Sequence, residues 1–192
     1  MSSQAIKREA LSLFAKHGYE GTSLSAIADA VGIKKASIYS HFDGKEALFL
    51  EIFEDILTEE ITSGKTLMAK VYDQSPKEQL YAVFQYTYRV YEEEREKFAF
   101  WKRAMLFPPE FLREQLQIQF INYEKQWSLL LSRAFQQAIQ EKLIKKKDID
   151  ELLAVFYCLI DGLFIELHYY GRKRYRERAE SVWNTFWSGI EK

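Results

Sequence analysis

Leu24, Ile27, Ala28 and Val31 fall at i, i+3, i+4 and i+7, and the series stops at Gly32. That spacing lays one apolar stripe along a helix of about two turns. Thr22 and Ser23 have the side chains that cap a helix start. After Gly32, Lys34 to Ser40 makes a second short helix that turns Ile38 inward, and Asp43-Gly44 is another turn. Lys45 then opens a longer helix. A helix, a tight turn and a second helix with a basic start form a helix-turn-helix layout, which sets the start of its second helix against the DNA major groove.

The rest of the chain repeats helical spacing and shows no useful strand signal. Ile6, Ala10, Leu13 and Phe14 make one face of a first helix that ends at Gly18. Leu48, Phe49, Ile52, Phe53, Ile56 and Leu57 stripe the helix that begins at Lys45. Ser75 and Pro76 fit the cap and first position of a helix reaching about Arg95. A short helix over Phe98 to Leu106 is stopped by Pro108-Pro109, and a long one runs from about Glu110 to Lys142. Lys145-Lys146-Lys147 reads as a linker. Asp148 caps a helix up to Tyr170, and the last helix spans about Arg176 to Ile190. The expected fold is all-α, with about nine helices. The expected domains are 1–47, carrying the helix-turn-helix, and 48–192, a helical remainder.

Charge does not mark the amino-terminal domain. Residues 1–47 hold six Lys/Arg against five Asp/Glu, and the whole chain carries −1. DNA contact must therefore come from the placement of particular cations. Cys158 is the sole cysteine, so no internal disulfide forms and a reducing cytoplasm is expected. The start, MSSQAIKREA, lacks a signal-peptide core. The apolar run from Leu152 to Leu167 is broken by Asp161 and Glu166, which argues against a membrane span.

Lys34, Lys35, Ala36 and Ser37 occupy the first turn of the second helix. A lysine donates to guanine O6 and N7, a serine serves several bases, and an alanine methyl meets a thymine methyl. Tyr39, His41 and Lys45 follow at spacings suited to the sugar-phosphate backbone, which fixes register. Ser23 joins them as a candidate DNA contact. Catalytic chemistry finds no support. His17, His41 and His168 have no metal-ligand spacing, Cys158 has no nearby base in sequence, and there is no glycine-rich phosphate loop. No cofactor is expected.

These residues resemble a known family. Phe14, Gly18-Tyr19, Thr22, Ile27-Ala28, Gly32, Ile38-Tyr39, His41-Phe42, Lys45-Glu46 and Leu48 form an ordered set similar to the amino-terminal domain of TetR-family transcriptional regulators. One departure stands out. Two adjacent lysines and Ala36 occupy positions where the family often has a small polar residue and then glycine. The resemblance implies a homodimer on a palindromic double-stranded operator, and a small-molecule effector held between helices of the second domain. Trp101, Phe120, Tyr123, Trp127, Tyr157 and Phe164 are the expected wall of that site, and Glu166 and His168 are possible polar additions. Such a wall suits an apolar or aromatic effector. The last two long helices resemble the family's dimer-forming pair, with Leu159, Gly162, Leu163, Val182, Trp183 and Phe186 as expected contacts. Repression is the leading expectation. Activation by the same fold and a helical carrier or enzyme are the alternatives.

Overall fold

The computed structural model describes residues 2–192. Among these residues there are nine α-helices and no strand. They are α1 (Ser3–His17), α2 (Leu24–Val31), α3 (Lys35–Ile38), α4 (Lys45–Lys70), α5 (Pro76–Glu93), α6 (Arg95–Leu106), α7 (Arg113–Gln140), α8 (Ile149–Glu166) and α9 (Arg172–Ile190). A 3₁₀ turn, Glu110–Leu112, precedes α7. The all-α expectation holds, and the differences are at helix ends. The second helix of the helix-turn-helix has four residues, α8 stops earlier than its apolar run, and α9 starts at Arg172.

The chain packs as two compact units that alternate in sequence. One holds the residues up to Glu60 together with Glu94–Tyr123, and the other holds Ile61–Glu93 and Glu124–Lys192. The first unit therefore gathers α1–α3, most of α4, α6 and the start of α7. Its core joins Ile6, Phe14, Ile27, Ile38, Leu48 and Phe53, all fully buried, to Phe100, Leu112 and Leu116. Phe14, Phe49 and Phe100 form its aromatic centre, with Phe49 5.0 Å from Phe14 and 4.9 Å from Phe100. Burying such rings adds to the unit's hydrophobic stabilisation.

Local chemistry sets the helix ends. Gly32 adopts φ 76°, ψ 36° after α2, and the Ile33 and Gly32 amides return to the Ala28 and Asp29 carbonyls. This is a Schellman stop, which needs a left-handed residue. Pro76 begins α5 as expected. Ser75 and Glu78 make a reciprocal capping box: the Ser75 amide donates to the Glu78 carboxylate at 2.9 Å, and the Glu78 amide donates to Ser75 Oγ at 3.4 Å. Asp148 caps α8 through the amides of Asp150 and Glu151.

In the second unit, Trp183 lies at the centre of an aromatic group with Tyr81, Phe84, Phe186 and Trp187. The segment expected to be a lysine linker is more ordered than that. The Lys145 amide donates to the Ile190 carbonyl at 2.9 Å and the Lys192 amide to the Leu143 carbonyl at 3.1 Å, so the α7–α8 connection pairs with the last residues of the chain.

Candidate nucleic-acid interface

The helix-turn-helix presents its polar residues outward from a sealed apolar base. Ile27, Ala28 and Ile38 are buried, whereas Ser23, Lys34, Lys35, Ala36, Ser37 and His41 are exposed and Tyr39 is 55% exposed. Phe42 is buried and packs the unit. With four residues, α3 sums few peptide dipoles, so cationic character here rests on the Lys34 and Lys35 side chains.

Three of the residues have internal work. Ser23 Oγ accepts from the Ala26 amide at 3.1 Å and is the N-cap of α2, a role worth about 1 kcal/mol. Thr22 is not the cap; it is buried, and its hydroxyl donates to the Gly18 carbonyl at 2.8 Å, closing the turn after α1. Lys45 Nζ donates to the Tyr19 carbonyl at 2.9 Å and the Thr22 carbonyl at 3.1 Å, and lies 3.9 Å from the centre of the Tyr19 ring. Its ammonium thus anchors the turn between α1 and α2, which makes it a positioning group for α2 and α3.

Sequence reading missed a second clamp. Arg103 of α6 donates from Nε to the Ala15 carbonyl at 2.9 Å and from Nη2 to the Lys16 carbonyl at 3.0 Å. These carbonyls end α1 and have no intrahelical partner. Ser12 and Lys16 of α1 also meet Glu96 of α6. Partners so far apart in sequence leave no local signal.

The six aromatics expected to line an effector site divide between the units. Trp101, Phe120 and Tyr123 cluster in the first, with Trp101 6.2 Å from Phe120 and 5.2 Å from Tyr123. Trp127, Tyr157 and Phe164 belong to the second. There the Tyr157 hydroxyl shares a 2.8 Å hydrogen bond with Ser128 and donates to the Glu124 carbonyl at 3.2 Å. Phe164 lies 5.0 Å from the Tyr91 ring. Glu166 is bound by Arg178, which commits its carboxylate within the unit.

Of the expected dimer contacts, Leu163 and Trp183 point inward, at 2% and 3% exposure. Side chains so enclosed have almost no area left for a partner. Leu159, Val182 and Phe186 instead border an open apolar groove of about 710 Å³ between α8 and α9, which Val155 and Gly189 extend. Gly162 is exposed on α8. The basic run after Gly171 is partly paired: Arg172 and Arg176 share the buried Glu92, Arg178 pairs with Glu166, and Arg174 lies over the Tyr170 ring.

An all-helical chain with an outward-facing helix-turn-helix at its amino end has the build of a DNA-binding protein. Residues 6–52 match the family model for bacterial regulatory proteins, tetR family. Over 40 residues the chain is 52% identical to the biofilm operon icaADBC negative transcriptional regulator IcaR of Staphylococcus aureus strain Newman. That stretch is 21% of this chain and 22% of the relative's length. The fold matches the TetR-family regulator PfmR of Thermus thermophilus with a TM-score of 0.75 at 21% identity, covering 100% of this chain and 98% of the other. It matches the regulator FadR of Bacillus subtilis, solved with stearoyl-CoA, with a TM-score of 0.80 at 18% identity, covering 99% and 100%. Residues 6–52 thus carry the amino-terminal domain of the tetR family, and the whole chain shares the fold of these two regulators.

Proposed function

We propose that this protein is a dimeric DNA-binding transcriptional repressor that a small apolar or aromatic effector releases from a palindromic operator. The observation that carries the reading is the exposed row of Lys34, Lys35, Ala36, Ser37, Tyr39 and His41 on a rigidly packed helix-turn-helix. The Lys34–Ser37 turn reads bases, and Tyr39 and His41 meet the backbone. Lys45 and Ser23 act mainly by holding the geometry.

One such turn reads few base pairs, so specificity calls for two copies about one DNA turn, or roughly 34–36 Å, apart. The groove along α8 and α9 supports a second copy of the chain there, with Leu159, Gly162, Val182 and the edge of Phe186 as contacts. A self-complementary face is what a two-fold dimer uses. Repression is supported by a relative: IcaR is named a negative regulator. The acyl chain of the stearoyl-CoA bound to FadR supports an apolar effector. Effector binding releases DNA only when the effector prefers a spacing of the two recognition helices that misfits adjacent grooves.

Selection of binding sites from randomised duplexes, followed by fluorescence anisotropy, tests this reading. A palindromic consensus bound far more tightly than random duplex is expected. Equal binding to all sequences in every condition overturns it.

A further inference from the structure

Most serine and threonine hydroxyls of the helix-turn-helix serve its backbone. The Thr22 hydroxyl donates to the Gly18 carbonyl at 2.8 Å, Ser23 Oγ accepts from the Ala26 amide at 3.1 Å, and Ser40 Oγ donates to the Ser37 carbonyl at 2.7 Å. Ser25 and Ser37 differ. Both are exposed, and neither side chain hydrogen-bonds another described residue. What separates these two is the charge before them. Thr22, Ser23 and Leu24 precede Ser25, whereas Lys34 and Lys35 stand three and two residues before Ser37. Ser37 is the only serine or threonine of the sequence with a cation at both of those positions.

The two lysines are exposed, and neither pairs with a carboxylate among the described residues. Two free ammonium groups at that distance before a free hydroxyl are what a kinase with an acidic substrate groove selects. Its carboxylates pair with the cations while the hydroxyl reaches the γ-phosphate. The backbone helps. Lys34 is already extended, at φ −75°, ψ 142°, and α3 is a single turn of four residues. The Ser37 amide donates to the Lys34 carbonyl at 2.8 Å, and Ile38 is the buried residue that anchors the turn. A lone turn is marginal by itself, and opening it costs far less than unfolding the unit.

We propose that Ser37 is a phosphorylation site for a serine/threonine kinase that selects basic substrates, and that the phosphoryl group switches off the DNA-facing turn. In the transfer, Ser37 Oγ attacks the γ-phosphorus of ATP. An Oγ–P bond forms as the bond to the ADP oxygen breaks, and the hydroxyl proton passes to a base of the kinase. The added group carries about −1.5 to −2 charge at neutral pH. It stands beside Lys34 and Lys35 and offsets their two positive charges, so DNA phosphates meet an anion there. The loss of DNA binding rests on the regulator reading above; the modification itself does not.

The test uses the full chain, ATP and two kinases: cyclic-AMP-dependent protein kinase, which selects basic substrates, and casein kinase 2, which selects acidic ones. Mass spectrometry is expected to place phosphate on Ser37, entering at least tenfold faster with the first enzyme. Ser37→Ala, and separately Lys34→Gln with Lys35→Gln, are expected to lose that labelling while melting at the wild-type temperature. No phosphate on Ser37, equal rates with the two enzymes, or undiminished labelling of Ser37 in the lysine variant overturns the site.

The switch has its own readout. The phosphorylated chain is expected to bind the DNA selected by the unmodified chain at least a hundredfold more weakly, and phosphatase treatment to restore binding. Excess selected duplex is expected to slow labelling of Ser37 at least fivefold, since one turn does not face DNA and a kinase together. Unchanged affinity after phosphorylation, or labelling indifferent to the duplex, overturns the switch. Unmodified protein that selects no DNA defeats the regulator reading instead, and the labelling experiment still decides the site.

Discussion

Lys97 Nζ lies 2.9 Å from the Glu60 carboxylate, and both residues are buried, at 8% and 5% exposure. The pair ties α6 to α4 inside the first unit. Glu59 at 3.1 Å and Glu94 at 2.9 Å complete the acid set around the ammonium. Burial works against its charge, and these carboxylates outweigh burial, holding the ammonium above its ordinary range. Removing one partner leaves a buried charge exposed to the apolar core. Lys97→Met is expected to cost about 3 kcal/mol in urea unfolding. Lys97→Met with Glu60→Met is expected to recover most of that loss, and a double variant no more stable than the single one would contradict the pairing.

The Lys34 and Lys35 side chains are exposed to solvent. Lys34→Ala together with Lys35→Ala is expected to leave the melting temperature unchanged and to abolish recognition of the selected DNA. Removing two cations from the DNA-facing turn also lowers the slope of log affinity against log salt. Anisotropy titrations at several salt concentrations measure both effects. An unchanged affinity would remove these lysines from the interface.

Lys45 gives the opposite pattern. Its ammonium holds two carbonyls and covers the Tyr19 ring. Lys45→Ala is expected to destabilise the protein by about 1–3 kcal/mol, the scale of hydrogen bonds to a charged group. Thermal melts of Lys45→Ala and Lys34→Ala side by side separate a positioning lysine from an interface lysine.

Two tyrosines set an alkaline limit on stability. Burial, and then the Glu180 carboxylate, pushes the Tyr81 hydroxyl up to about 12. Burial likewise pushes Tyr157 up to about 12, although its hydrogen bond with Ser128 opposes the shift. Both folded values exceed the unfolded value of about 10. Their contribution is therefore complete below about pH 10 and is lost as pH rises towards 12. Tyr81→Phe is expected to make the fall in stability across that range shallower, which denaturant midpoints at about pH 9, 10 and 11 would show. An equally steep fall would contradict the assignment.

Gly32 stops α2 at positive φ with open space around its α-carbon. Gly32→Ala therefore meets only backbone strain, and is expected to cost about 1 kcal/mol. A loss of several kcal/mol in chemical denaturation would point to a packing role that the geometry does not contain.

The helix-turn-helix was legible because its signals are local. The Leu24–Val31 stripe, the Ser23 cap and the Gly32 stop lie within a few residues of one another, and each acts on the nearest turn of backbone. The same holds for Ser75-Pro76 at α5 and Asp148 at α8. Helix periodicity also pointed to Trp127, Trp183 and Leu163 as apolar, because burial of such side chains is general.

What they pack against was not legible. Trp183 and Leu163 turn inward while Val182 and Leu159 border a groove, and a stripe does not say which side another helix will cover. Lys45 looked like a phosphate contact by spacing, but its ammonium finds two backbone carbonyls that only the folded turn brings together. Arg103 reaches the end of α1, Lys97 reaches Glu60 and Trp127 packs against Gly64, each across dozens of residues of intervening chain. By itself the sequence determined nine helices, their caps and an outward basic turn, since these follow from neighbouring side chains and backbone. Tertiary structure alone decided which cations are anchored, which aromatics are enclosed and which hydroxyls are left free, since those depend on distances set by the packing of remote helices.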